Sequence, residues 1–182
     1  MQVSKVDIAG ILVFKPKVFT DDRGFFLESW NQRTFKDTTG LDVNFVQDNH
    51  SRSEKGVLRG LHYQLNNPQG KLVWVARGRV LDVAVDLRRP SKTFGQYYAI
   101  ELSDKNHKQL WIPPGFAHGF AVLSETADFL YKTTDYYTPS DEHCINWSDP
   151  DINIDWHLRE TQPQISQKDR AGVAFREAET YP

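Results

Sequence analysis

"KLVWVARGRVLDVAVDL", residues 71–87, contains two short apolar runs rich in valine, separated by Arg77-Gly78. Runs of this length and composition are the mark of strands buried in a sheet, and the Arg-Gly pair between them predicts a hairpin. Outward from this stretch the pattern repeats. "ILVF" at 11–14, "YYAIEL" at 97–102, "QLWI" at 109–112, "HGFAVL" at 118–123 and "DFLYKTT" at 128–134 read as further strands. "DDRG" at 21–24, ahead of "FFLESW", and "PPG" at 113–115 read as turns. Helical signals are scarce: "NQRTFKDTT" at 31–39, closed by Gly40, predicts one short helix, and the tail around 166–178 another. Many short strands with few helices predict an all-β jelly-roll sandwich or barrel, as a single domain over residues 1–182. Such barrels hold ligands in their interior.

Composition narrows the function. The hydrophobic fraction of 39% and the aromatic fraction of 13% suit a packed core rather than a disordered chain. Net charge is −2 with both signs interspersed and no basic stripe, so no nucleic-acid interface is expected. An anionic ligand must instead be met by a local cluster of Arg and Lys. A single cysteine, Cys144, excludes an intrachain disulfide and a multi-cysteine zinc site, and fits a reducing cytoplasm. "IAGILVF" is too short for a secretory leader, and no apolar run approaches the ~20 residues of a membrane helix. The expectation is a soluble cytoplasmic protein with no membrane partner.

"GVLRGLHYQ", residues 56–64, sets a puzzle within this fold. In a regular strand successive side chains alternate between faces, so Arg59 and His62 point in opposite directions. Gly60 lies between them, and a glycine within a strand often marks a bulge or a close backbone approach. Either the strand is irregular at Gly60, or Arg59 reaches a shared pocket from the rim, or His62 is a hydrogen-bonded core histidine and Arg59 a surface charge. "PPGFAHGF" at 113–120 places His118 at the opening of the next strand, where it can cap, pack, ligate or act as a base. A metal site of the jelly-roll type needs two histidines close together, a carboxylate and a later histidine. Gln64 stands where the partner histidine of His62 would be, and Lys71 brings a cation, so no metal is expected. Lys71 itself is a solvated strand end or a fixed charge for an oxyanion. Tyr131 is a half-buried aromatic or a proton donor, since a phenol with a reference pKa of ~10 stays protonated at neutral pH.

"DDRGFFLESW", "VQDNHSRSEKGVLRGLHYQ", "PPGFAHGF", "YKTTDYY" and "SQKD" follow one another in this order. The series resembles the dTDP-4-dehydrorhamnose 3,5-epimerases, from about Gly10 to Phe175. The resemblance implies a cofactor-independent cupin jelly roll that works as a homodimer, with N-terminal strands exchanged between subunits. It implies inversion at C3 and C5 of a thymidine-diphosphate sugar carrying a ketone at C4, on the route to dTDP-L-rhamnose and bacterial cell-surface polysaccharide such as lipopolysaccharide. By the same resemblance His62 is the base, Asp169 the carboxylate supporting it, Lys71 the enolate-stabilising cation and Tyr131 the proton donor. Arg59 and Arg23 match diphosphate contacts. Glu28, Gln47, Asn49, His118, Glu142, Lys168 and again Lys71 match other substrate contacts, and Phe19, Phe26 and Tyr137 match residues that pack on the thymine ring. Arg23 and Glu28 are expected to serve the neighbouring subunit's site.

Three other readings stay open at this level. One is a relative acting on one carbon only, or moving the ketone, in another deoxysugar pathway. A second is a metal-dependent cupin, which the missing ligands oppose. The third is a binding module without chemistry, which should lack a paired base and acid.

Overall fold

The computed structural model describes residues 1–158 and 162–182. The strands run β1 (Gln2–Lys5), β2 (Leu12–Lys15), β3 (Val18–Asp21), β4 (Gly24–Leu27), β5 (Gln47–Glu54), β6 (Leu58–Gln64), β7 (Lys71–Arg77) and β8 (Arg79–Asp86). They continue as β9 (Tyr97–Ser103), β10 (Gln109–Ile112), β11 (Phe116–Val122), β12 (Thr126–Thr133) and β13 (Glu142–Cys144). Helix α1 is Gln32–Thr39 and helix α2 is Gln167–Arg170. The strands form two facing antiparallel sheets, a jelly-roll sandwich. One sheet has the order β1-β2-β10-β7-β12-β5, the other β13-β6-β11-β8-β9, and β3 and β4 stand apart as a two-stranded hairpin.

The opening stretch folds as two strands, but not as the hairpin its Arg-Gly pair predicts. β7 pairs with β10 and β12 in one sheet, and β8 pairs with β9 and β11 in the other. Gly78, at φ +80, carries the chain from one layer to the other, where an added Cβ would meet the Thr126 carbonyl at 2.0 Å. A turn of two residues looks alike in sequence whether its strands pair or cross between layers. The N-terminal strand at 2–5 and the polar strand "QDNHSRSE" lack the apolar signature that marks the others. β11 begins at Phe116, so His118 lies inside the strand rather than opening it.

Three apolar clusters hold these layers. Between the sheets pack Val73, Val75, Val80, Ala84, Phe120 and Phe129 among others. The rings of Phe120 and Phe129, from opposite sheets, stack at 4.1 Å. The outer face of the five-stranded sheet is covered by residues from Ile145 onward, with Trp156 and Ala178 in one cluster with Leu58, Leu61 and Tyr63. The Tyr63 hydroxyl donates to the Glu179 carbonyl at 2.7 Å, and the Tyr181 hydroxyl donates to the Gln64 carbonyl at 2.5 Å. The outer face of the other sheet is covered by α1, whose Phe35 is buried against Phe14 and Trp111. Asn31 caps α1 by accepting from the Thr34 N–H at 3.0 Å, and Gly40 closes it in the left-handed region, as the sequence predicts.

Candidate active site

β6 is irregular at Gly60, and this settles the parity puzzle. Opposite β11, His62 faces His118 while Arg59 faces Phe120. Three steps along β6 therefore match two along β11, the count of a β-bulge. Gly60 takes φ +122, and the Gly60–Leu61 peptide is cis. Leu58 and Leu61, three apart, pack in the same outer cluster. Arg59 and His62, also three apart, line the same cavity inside the sandwich. The bulge thus turns both polar side chains inward and keeps the leucines out. Only glycines allow the strands to come this close: a Cβ on Gly60 would lie 2.6 Å from the Gly119 Cα, and one on Gly119 would lie 2.7 Å from the Arg59 carbonyl.

The cavity measures about 250 Å³. Arg59, His62 and His118 enter it from the five-stranded sheet, and Asn49, Lys71 and Tyr131 from the six-stranded one. Five of these six are charged, titratable or phenolic, an unusual lining for the interior of an apolar sandwich. Phe129 and Phe120 form part of its wall.

Behind His62 stands Asp169, at 2.5 Å from Nε2. Residue Asp169 lies on α2, which Ser166 caps; the Ser166 hydroxyl accepts from the Asp169 N–H at 3.1 Å and donates to Oδ2 at 2.8 Å. Burial alone would raise the Asp169 pKa. Hydrogen bonds from His62, Ser166 and the Gly60 N–H, with the charge of the imidazolium, outweigh it and hold the carboxyl below its usual range. An ionised carboxylate can only accept, so Nε2 of His62 carries a hydrogen, and in the neutral ring Nδ1 is left with the lone pair. Nδ1 lies 4.0 Å from Oε1 of Glu142. Glu142 accepts from the Tyr137 hydroxyl at 2.5 Å and pairs with Lys168. Gln47 donates to the Asn49 carboxamide oxygen at 2.9 Å and accepts from the Tyr137 N–H at 3.0 Å. The residues Gln47, Tyr137, Glu142, Lys168 and Asp169 thus form a polar flank joined to the cavity through His62 and Asn49.

The electrostatics suit carbanion chemistry. Burial pulls the Lys71 ammonium down to about 8, against the opposing charge of Asp82. Burial pushes the Tyr131 phenol up, and the Arg59 charge only partly offsets this, so Tyr131 holds its proton through the neutral range. Arg59 is anchored by one side-chain hydrogen bond, to Ser53 at 3.2 Å. For a metal, the described residues offer one grouping, His62, Cys144 and Asp169, with ligand atoms within 4.8 Å of one another. Its two better donors are already engaged with each other, and burial followed by the Asp169 charge raises the Cys144 thiol to about 12.

Four of the expected site residues lie elsewhere. Phe19, Arg23 and Phe26 sit on the β3–β4 hairpin and line a separate surface recess. Arg23 pairs with its neighbour Asp21, and Glu28, just beyond β4, accepts from Asn31 at 3.1 Å. None of the four lines the barrel cavity of its own chain. Two residues that bear on the site escaped the sequence reading. Ser166 fixes Asp169, and Asp82 lies beneath the cavity with Oδ2 at 2.9 Å from the His118 Nε2. The signal for Asp82 was a lone carboxylate inside the apolar run "VLDVAV".

Comparison with known proteins gives a consistent result. Residues 5–177 match the family model described as dTDP-4-dehydrorhamnose 3,5-epimerase. The chain is 57% identical to the dTDP-4-dehydrorhamnose 3,5-epimerase of Pseudomonas aeruginosa over the full length of both, and 53% identical to that of Shigella flexneri over 100% of this chain and 99% of the relative. Among solved structures it superposes on the dTDP-6-deoxy-D-glucose-3,5-epimerase of Legionella pneumophila Philadelphia 1, in complex with dTDP-4-keto-L-rhamnose. That match has a TM-score of 0.95 at 50% identity, covering 98% of this chain and 94% of the other.

Proposed function

The chain belongs to the dTDP-4-dehydrorhamnose 3,5-epimerase family, and from that membership we propose how its site converts dTDP-4-dehydro-6-deoxy-D-glucose to dTDP-4-dehydro-L-rhamnose. It is an isomerase that inverts C3 and C5, the carbons flanking the C4 ketone. The observation that carries the mechanism is the division of the cavity: His62, backed by Asp169 on α2, enters from one sheet, and Lys71 and Tyr131 from the other.

A hydrogen α to a ketone is weakly acidic, and its removal leaves an enolate. His62 takes that proton through Nδ1, and the ionised Asp169 stabilises the imidazolium that forms. The Lys71 ammonium meets the negative charge developing on the ketone oxygen, where a dry site makes one cation worth more than in water. Tyr131 delivers a proton from the opposite face. Opposed faces are essential, because a group that takes and returns a proton on one face restores the starting configuration. Arg59, at the cavity wall, is placed for a phosphate oxygen and is suited to bidentate contact. Asn49, Gln47, His118, Glu142 and Lys168 contact the rest of the nucleotide sugar, and Tyr137 packs on its base.

We further propose a cytoplasmic homodimer, in which the hairpin of one subunit completes the site of the other. Support comes from the hairpin itself. Phe19, Phe25 and Phe26 are all more than half exposed, far from what a free surface favours, and Arg23 and Glu28 accompany them. On a partner they supply an aromatic slot for thymine and a cation for the diphosphate. The pathway served is that of dTDP-L-rhamnose for lipopolysaccharide and related surface polymers.

Incubation with the 4-keto-6-deoxy dTDP sugar in heavy water tests the reaction. Deuterium enters the product at both C3 and C5. Label at C3 alone would replace the double epimerase with a mono-epimerase, and absence of label at either carbon would remove the enolate mechanism altogether. Tyr131→Phe separates the two halves of each inversion: net epimerisation falls by about 10²- to 10³-fold, while exchange of substrate hydrogen with solvent falls far less. Equal, mild losses in both would take the donor role from Tyr131.

A further inference from the structure

On the footing of the epimerase reading, we propose that Asp82 is a positioning residue, which holds the His118 ring from beneath the cavity and aims it at the substrate. Asp82 is 0% exposed. It lies on β8 on the same face as Val80 and Ala84, both members of the apolar cluster between the sheets. A carboxylate in that layer is strongly unfavourable unless its charge is met. One oxygen, Oδ2, accepts from the His118 Nε2 at 2.9 Å. The other, Oδ1, is buried with no hydrogen-bond partner among the described residues. Such a group persists where its charge has a task.

The side chains at the cavity wall give it one. His118 stands on the neighbouring strand β11, its ring held at 6.0 Å against Phe129. With Nε2 donating to Asp82, the imidazole keeps its Nδ1 for a ligand, as an acceptor for a sugar hydroxyl. Lys71 comes from the facing sheet, and the Asp82 charge opposes the loss of its proton that burial favours. The other titratable or charged groups sharing the cavity with Lys71 are His50 on β5, Arg59 and His62 on β6, His118 on β11 and Tyr131 on β12. Arg59 and any protonated imidazole among them work against the ammonium. Asp82 is the anion that works for it.

Asp82→Asn keeps the shape and an oxygen for His118 but removes the charge. The expected result is a fall in kcat of about 100-fold with dTDP affinity within about threefold of wild type, the pattern of a group acting through its neighbours. A kcat within about threefold of wild type overturns the proposal. Should the variant fail to fold, the wild-type enzyme decides. Nitrogen NMR of 15N-labelled histidines, with His118 assigned by difference from His118→Asn, shows the Nε2-protonated tautomer at neutral pH; the Nδ1-protonated form overturns the aim given to His118. That measurement uses no substrate, so an enzyme that fails to turn over the dTDP sugar would refute the epimerase reading while leaving the hold of Asp82 on His118 still judged.

Discussion

His62→Ala abolishes both epimerisation and hydrogen exchange, each by about 10³- to 10⁴-fold, while dTDP still binds. The size follows from the number of steps lost. Without the imidazole nothing at the cavity wall removes the α proton. Asp169 is left behind an empty space without the partner that most lowers its pKa, keeping the Ser166 hydroxyl and the Cys144 thiol beside it. Lys71, pulled down to about 8 by burial, is mostly protonated at neutral pH and makes a poor substitute base. Nucleotide binding is expected to be spared because the ligand contacts proposed for Arg59, Gln47, Asn49, Glu142 and Lys168 do not run through the imidazole. The check is heavy-water exchange beside dTDP titration. Exchange near the wild-type rate would remove His62 from its role, and loss of dTDP binding would show that the variant had damaged the pocket rather than the chemistry.

Gly60→Ala carries the second large effect, and it falls on structure. The new Cβ would meet backbone on the next strand, 2.6 Å from the Gly119 Cα and 2.8 Å from the His118 carbonyl oxygen, at a φ of +122 that L side chains rarely adopt. Neither obstacle is a flexible side chain. The backbone conformation and the overlap each cost roughly 1–3 kcal/mol, so a loss of about 3 kcal/mol or more is expected. For a chain of this size that lowers the melting temperature by about 6–12 °C. Activity falls with it, because relaxing the bulge restores ordinary alternation and turns Arg59 away from the cavity that holds His62. Calorimetry and kcat/KM measure the two effects. A variant with the wild-type melting temperature and wild-type activity would show that the bulge does not need glycine.

The sheets were legible in the sequence where residues are buried on both sides. "KLVWVA", "QLWI" and "HGFAVL" became β7, β10 and most of β11 because core strands advertise themselves by composition. β5 was not legible: its six polar or charged side chains between Gln47 and Glu54 follow from a strand at the sheet edge, exposed along one face. Pairing was less legible still, since a two-residue turn does not state whether the chain folds back or changes layers. For the site, residue types were readable but partners were not. The contact of His62 with Asp169 spans 107 positions, and no local pattern records it. The bulge at Gly60 was narrowed to one of a few possibilities by parity alone, because two inward polar residues three apart need an extra residue between them. Asp82 was visible as a charge in an apolar run, but its meaning depends on Lys71 and His118, which come from other strands.

The stacked rings of Phe120 and Phe129 bridge the two sheets at 4.1 Å, just below the reacting groups. Under the proposed roles the base rides on one sheet and the proton donor on the other, so the thickness of that aromatic layer sets how promptly Tyr131 can answer a proton lost to His62. If the layers shift, the enolate waits, and His62, having traded the abstracted proton with solvent, has time to hand one back on the same face. Such an enzyme would still exchange hydrogen briskly but return its substrate unchanged in handedness. The apolar core here is therefore a gauge of stereochemical fidelity as well as a source of stability.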